Sequence, residues 1–283
     1  MMKRIVPGDT PVSELHQYII GTVAPRPIAF ASTLSADDVP NLAPFSFFNA
    51  FATHPPILVF SPNRRVSNDT TKDTLHNVEA TGEVVINIVS YDFVRQMTLC
   101  SIDYPADVNE FEKAGLTPLE SEMVKPFRVK ESKAHFECRV RDIIKLGEEG
   151  GAGNLIICDV LLLHIDESLF DEQGKIDPQR LDAVARMGRT YYARAHGDSI
   201  LSIYQPQNRI GIGFDGLPEE VRRSPVLTGN DLAELASVER LPESGAAKMT
   251  YPQAQDSMEK QHIAKTLISE GKVEDAWRVL LSS

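Results

Sequence analysis

The chain has 283 residues, of which 42% are hydrophobic and 24% charged, and its formal net charge is -11. This is the composition of an ordinary globular protein, long enough for one large domain with additions or for two small ones. The acidic balance argues against a nucleic-acid backbone or an anionic membrane as main partner, because both reward clustered Lys and Arg.

The opening MMKRIVPGDTPVSELHQYI carries two early basic residues but no apolar core, so a secretory leader is not expected. From Ile28 to Ile165 the pattern predicts short strands at residues 28–34, 39–48, 57–60, 83–89, 133–145 and 154–166. Their β-branched and aromatic content, with turn residues between, points to an antiparallel barrel or sandwich. Helical patterns interrupt the series at residues 70–81, 91–100 and 109–114, too irregularly for a repeating βαβ array. The EEGGAG run at 148–153 reads as a hairpin loop between the two long last strands. Residues 155–165, the most apolar stretch, are strand-length and carry Asp159 and His164, which excludes a membrane span there. Beyond Asp166 the spacing predicts helices over 177–186, 232–236, 258–269 and 273–281, broken at 241–247 and at Gly271. The last two form a helical hairpin with Ile263, Leu267, Trp277 and Leu280 on its apolar side, read as a strap packed on the body or on another subunit. The organisation expected is therefore a domain over 1–197 and a mostly helical extension over 198–283.

Two windows carry chemistry. In SPNRRVSNDTTKDT, residues 61–74, Asn68, Asp69 or Thr70 can N-cap the helix that continues through LHNVEATG. Arg64, Arg65, Lys72, Ser67 and Thr74 add cations and hydroxyls around that helix start, the groups a terminal phosphate requires. A capped helix with a solvated basic turn is the plainer reading of the same residues. The second window is residues 25–51, PRPIAFASTLSADDVPNLAPFSFFNAF. Pro40 and Pro44 remove ladder donors, leaving neighbouring amides and carbonyls free to face a ligand. Asn41, Ser46 and Asn49 offer donors and acceptors, while Phe45, Phe47 and Phe48 supply flat apolar area. Together they suit a planar heteroaromatic ring with a polar edge.

The order RPIAFASTL, an acidic turn, NLAPFSFFNAF, HPPILVFS, KDTLHNVEATGEVVINIV resembles the flavin reductase-like, FMN-binding split-barrel proteins over about residues 23–192. The resemblance implies a mainly β protein, a homodimer of six-stranded antiparallel split β-barrels with peripheral helices, and FMN near the dimer interface. Carried over by position, it sets Ser32 and Thr33 beside the flavin phosphate or ribityl chain. It puts Asn41 and the backbone from Ala43 to Ser46 at the isoalloxazine edge, with Phe47, Phe48 and Asn49 as floor. Ser61, Asn63, Lys72, Asp73 and Thr74 would complete the phosphate and ribityl contacts, and Tyr191 with Tyr192 would close the pocket. Flavin N5 would accept a hydride from NAD(P)H, so no protein nucleophile is needed. The activity implied is that of an NAD(P)H-dependent flavin reductase passing electrons to free flavin, a partner oxygenase or a small acceptor. An FMN-containing electron carrier or sensor, reduced by a protein partner without NAD(P)H turnover, is the alternative. The related pyridoxamine-phosphate-oxidase-like barrels match less closely.

Other motifs carry less. GIGFDG at 211–216 has the literal dinucleotide spacing, but Asp215, Glu219 and Glu220 would repel a pyrophosphate, so a turn before a short helix is the expected reading. His135 and Cys138 stand at i and i+3 on a strand, on opposite faces, and share no metal. Cys100, Cys138 and Cys158 include no CxxC pair and make no disulfide framework, which fits a reducing, cytoplasmic setting.

Overall fold

The computed structural model describes residues 1–203, 210–242 and 256–282. The chain divides into two compact units, Met1–Leu201 and Ser202–Ser283.

The first unit opens with helix α1 (Val12–Thr22) and then strands β1 (Ala29–Leu34), β2 (Pro40–Phe45), β3 (Phe48–Thr53) and β4 (Pro56–Phe60). Helix α2 (Asp73–Thr81) leads into β5 (Glu83–Ile88), followed by α3 (Val94–Leu99) and α4 (Glu110–Ala114). A small ribbon, β6 (Pro118–Leu119) and β7 (Arg128–Val129), precedes the long strands β8 (Ala134–Lys145) and β9 (Asn154–Ile165). The unit ends with α5 (Pro178–Leu181) and the hairpin β10 (Val184–Arg186) and β11 (Tyr192–Arg194).

The main sheet is antiparallel and has seven strands in the order β2-β1-β5-β8-β9-β4-β3. Its two edge strands are consecutive in the chain, joined only by Ser46 and Phe47. Laid flat, seven strands would hold those edges roughly 29 Å apart at about 4.8 Å per gap. Three residue steps from Phe45 to Phe48 span at most about 11 Å. The sheet therefore curls until its edges meet, which makes it a split barrel.

Residues 39–48 were expected as one strand and form two. β1 begins at Ala29, opposite Phe45, so β2 runs out of partner there. The chain then crosses the split, Phe47 accepts the amide of Ser61 at 2.8 Å, and β3 starts a new ladder on β4 with Phe48 opposite Phe60. The barrel thus has one strand more than the six expected. The helix expected over 177–186 is also shorter, ending at Leu181. Asp182 takes a left-handed conformation (φ 50) and its carboxylate is gripped by Arg194 at 2.7 and 2.6 Å, so the chain turns into β10. Helix α1 was not expected.

Burial follows the alternation of the strands. Ala29 and Ala31 of β1 face a core with Phe45, Leu58, Phe60, Val84, Ile86, Cys138 and Ile156, into which α2 sends Leu75 and Val78. Phe30 faces a second core with Leu42, Phe93, Met97 and Phe111, built on α3 and α4.

The second unit holds α6 (Glu219–Arg222), α7 (Gly229–Leu235), α8 (Ser257–Ser269) and α9 (Val273–Leu280). Thr228 and Asp231 form a capping box at the start of α7. The α8–α9 hairpin packs with α7 around Leu217, Leu232, Leu235, Leu267, Ile268 and Trp277. Trp277 is fully buried and its indole N–H donates to the carbonyl of Leu235 at 2.9 Å. GIGFDG is a turn in which Gly213 is left-handed (φ +70) and accepts the amide of Gly216. The helix behind it, α6, has four residues and cannot present a pyrophosphate site. The expected helix break at 241–247 lies, from residue 243 on, outside the described residues. Among the described residues no helix is long and apolar enough to cross a membrane.

Candidate functional site

The β1–β2 register decides which backbone groups of β2 are free. Asn41, Ala43 and Phe45 lie opposite Thr33, Ala31 and Ala29, while Pro40, Leu42 and Pro44 alternate with them. Proline donates nothing to a ladder, so both prolines occupy positions whose missing N–H costs no sheet bond. Leu42 shares their parity, and its amide is taken by the buried carboxylate of Glu110 at 3.0 Å. Burial raises the pKa of Glu110, an effect the Leu42 amide partly offsets and the nearby charge of Asp73 reinforces.

Beside this edge lies a small concavity of about 100 Å³, lined among others by Asn41, Ala43, Arg65, Lys72, Asp73 and Thr74. Helix α2 starts here with Lys72 at its N-cap position and no side chain capping it. The first-turn N–H groups and the positive dipole end are therefore presented to this pocket. Arg65 is fixed from behind, its guanidinium donating to Thr70 Oγ1 at 2.9 Å and to the Thr71 carbonyl. Arg65 Nη2 and Lys72 Nζ converge on one acceptor, Asp103 Oδ1, at 2.8 and 2.7 Å. Hydrogen bonds from Arg65 and Lys72 hold the Asp103 pKa down to about 2. The local geometry is that of a cradle already holding an anion.

Ser32 and Thr33 are fully buried in β1. Thr33 Oγ1 accepts from Asn41 Nδ2 and Asn77 Nδ2, both at 3.0 Å, and Asn41 Nδ2 also donates to Thr74 Oγ1 at 3.0 Å. This buried network ties β1, β2 and the first turn of α2 together. Ser32 Oγ has no hydrogen-bond partner among the described residues.

The other candidate residues meet elsewhere. Ser46, Phe47, Phe48, Asn49, Ser61 and Asn63 line a cavity of about 600 Å³, closed on another side by Val12, Leu15, His16 and Ile19 of α1. Ser61 Oγ donates to Asn63 Oδ1 at 2.7 Å and accepts the Asn154 amide at 2.9 Å. The two concavities are neighbours along the chain twice over. Asn41, Ala43, Pro44 and Phe45 line the small one and 46–49 the large one, while Arg65 lines the small one and Asn63 and Val66 the large one.

Arg26 is the cavity residue that reading the sequence missed. It is buried, and its guanidinium donates to the carbonyls of Ile20 (2.6 Å) and Val23 at the end of α1. It also reaches Ser46 Oγ at 3.4 Å and lies over the Phe47 ring at 5.9 Å. A cation on the last carbonyls of a helix stabilises its C-terminus, so Arg26 holds α1 over the cavity. Its charge and burial lower the pKa of His16, burial being the larger cause. A signal was present: an arginine between two prolines just before a buried strand must be paired if it is buried.

Tyr191 is exposed at the tip of the β10–β11 hairpin, and Tyr192 carries Arg186 over its ring at 4.7 Å. Neither lines either cavity. His135 donates through Nε2–H to the Val129 carbonyl, 2.8 Å away, while its buried Nδ1 has no partner among the described residues.

The donor set matches the groups of a flavin mononucleotide one by one. Two cations, an uncapped helix start and the Thr74 hydroxyl suit the phosphate. Ser61 and Asn63 suit a polyol chain, and the aromatic wall suits a tricyclic ring. The residues present fit FMN.

Comparison with known proteins gives a consistent result. Residues 21–188, more than half of the chain, match the model described as flavin reductase like domain. An uncharacterized protein of Aquifex aeolicus is 38% identical over 196 residues, 69% of this chain and 95% of that one. Among solved structures, nitrilotriacetate monooxygenase component B from Bacillus cereus superposes with a TM-score of 0.66 at 30% identity, over 72% of this chain and 98% of its own. The 2-nitrobenzoate 2-nitroreductase of Pseudomonas fluorescens, at 24% identity, shares the fold with a TM-score of 0.64 over 75% of this chain and 100% of its own.

Proposed function

This chain belongs to the flavin reductase-like family, and from that premise we propose that its first unit binds FMN and works as an NAD(P)H-dependent flavin oxidoreductase. The observation that carries the reading is the juxtaposition along residues 41–49 and 61–66. An anion cradle of Arg65, Lys72 and the α2 start adjoins a 600 Å³ cavity walled by Phe47, Phe48 and Phe51.

In this reading FMN supplies the redox chemistry, accepting a hydride from a reduced nicotinamide and passing on the electrons. The chain binds and orients. Lys72 and Arg65 neutralise the phosphate and the α2 amides hydrogen-bond it. Asn41 and Thr74 act through the buried network that fixes the cradle, with Thr33 and Asn77 behind them. Ser61 and Asn63 meet the polyol chain, and Ser46 with Phe47, Phe48 and Asn49 borders the ring and limits water. The volume beyond favours nicotinamide turnover over a carrier whose ring face is covered, since a second planar ring needs that space. Tyr191 lines neither cavity of its own chain, so a pocket-closing role for it operates across a homodimer. The relative named as a monooxygenase component B supports an oxygenase partner as destination of the electrons.

The test is a pair of titrations. FMN and riboflavin differ by the phosphate, so Lys72→Ala should weaken FMN by about tenfold to a hundredfold and leave riboflavin unchanged. A purified protein that binds neither flavin ends the reading. Flavin absorbance bleached by a reductase protein, but not by NADH or NADPH, replaces the reductase with the electron carrier.

A further inference from the structure

We infer that Asp103 is a built-in competitor for the phosphate, which makes the flavin an exchangeable ligand of this chain rather than a permanently held one. The inference rests on the FMN reading above and deepens it by assigning how tightly the site holds its cofactor.

Asp103 stands on the loop after α3, far in sequence from the residues it meets. One of its oxygens accepts from both cations, Arg65 Nη2 at 2.8 Å and Lys72 Nζ at 2.7 Å, and Arg65 Nε reaches the same atom at 3.1 Å. A carboxylate there satisfies the donors that a phosphate would use. Two acids beside it are placed differently: Glu110 is engaged by the Leu42 amide, and Asp73 is in the first turn of α2, where it complements the dipole.

Three features make Asp103 displaceable rather than structural. Its side chain is 58% exposed, whereas those of Arg65 and Lys72 are 17% and 30% exposed. Arg65 keeps its position without it, through Thr70 and Thr71. An exposed carboxylate is also easily rehydrated once it swings out. A phosphate dianion carries more charge and more acceptor oxygens, so it wins the cradle, but only after displacing a ligand tethered at high effective concentration. Every binding event thus includes that exchange, and every release is assisted by it.

The experiment measures equilibrium binding of FMN and riboflavin to the full chain, with flavin fluorescence as readout, for the wild type, Asp103→Asn and Asp103→Ala. Both variants should bind FMN about tenfold more tightly than the wild type and riboflavin equally. FMN release in stopped flow should slow in proportion. Inorganic phosphate should compete with FMN at lower concentration in the variants. Unchanged or weakened FMN binding in both variants, with the wild type binding FMN, overturns the competitor and leaves the flavin site standing. Equal tightening of riboflavin overturns it too, since the effect would then lie at the ring. A wild type that binds neither flavin removes the premise and overturns both.

Discussion

Replacing Thr33 by valine keeps the shape of a fully buried side chain and exchanges a hydroxyl for a methyl group. In the wild type, Thr33 Oγ1 accepts one N–H from Asn41 and one from Asn77, each at 3.0 Å. Asn41 retains Thr74 as a partner for its second amide hydrogen, at 3.0 Å, but the hydrogen aimed at Thr33 is stranded. The Asn77 hydrogen aimed at Thr33 is stranded as well. A buried donor left without an acceptor costs about 1–3 kcal/mol. Two of them, offset by roughly 1 kcal/mol from burying the added methyl group, give an expected loss of about 1–5 kcal/mol. Chemical unfolding followed by circular dichroism measures it, with flavin titration in parallel. FMN affinity should fall only modestly, through loosening of Thr74 at the start of α2. A variant as stable as the wild type that loses most of its FMN affinity would refute this account. Thr33 would then be a direct flavin contact.

Ser32 is the companion case. Its hydroxyl is buried without a partner among the described residues, so Ser32→Ala should leave stability unchanged or raise it by up to about 1 kcal/mol in the same unfolding experiment. A drop in FMN affinity would instead reveal a flavin atom as its missing partner. Glu137 gives a pH prediction. Its fully buried carboxylate is pushed up by burial, but the amides of Met123 (2.6 Å) and Glu122 (3.0 Å) and the ring of His164 (2.7 Å) overcome this and hold its pKa below the ordinary 4.5. A depressed folded pKa means stability that is present above pH 4.5 and lost as pH falls through the lower folded value. Glu137→Gln should cost about 2–4 kcal/mol at pH 7. The gap should narrow as both proteins are taken below pH 4, and a constant gap in melts across that range would contradict the assignment.

Much of the barrel was legible because its strands announce themselves. The buried β5, with Val84, Val85 and Ile86, and the alternating β8 and β9 carry β-branched runs between clear turn signals. β3 was not legible as a strand of its own. No glycine or proline marks the passage from Phe45 to Phe48, and the break exists only because β1 ends opposite Phe45, a tertiary fact. Helix α1 was missed although Val12, Leu15, His16 and Ile19 have helical spacing, because its apolar side faces a cavity and buries no residue. In the site, the prolines of β2 and the KDT start of α2 were visible as chemistry. The division of labour was not, since Asn41 and Thr33 look like ligand donors in sequence and spend those donors and acceptors on each other in the fold. Asp103 was invisible for a simpler reason. It lies 31 residues beyond Lys72, on a loop with no motif, and only folding sets it in the cradle.

The lone tryptophan of the chain, Trp277, is sealed in the helical unit with its indole N–H on Leu235. Ultraviolet emission excited at the tryptophan band therefore reports on that unit, while visible flavin emission would report on the barrel. Two optical channels follow from one sequence without any label. Melting the protein with both recorded at once would tell whether the helical unit and the barrel come apart as one cooperative body or as two, and whether loading the barrel with flavin is felt by the helices.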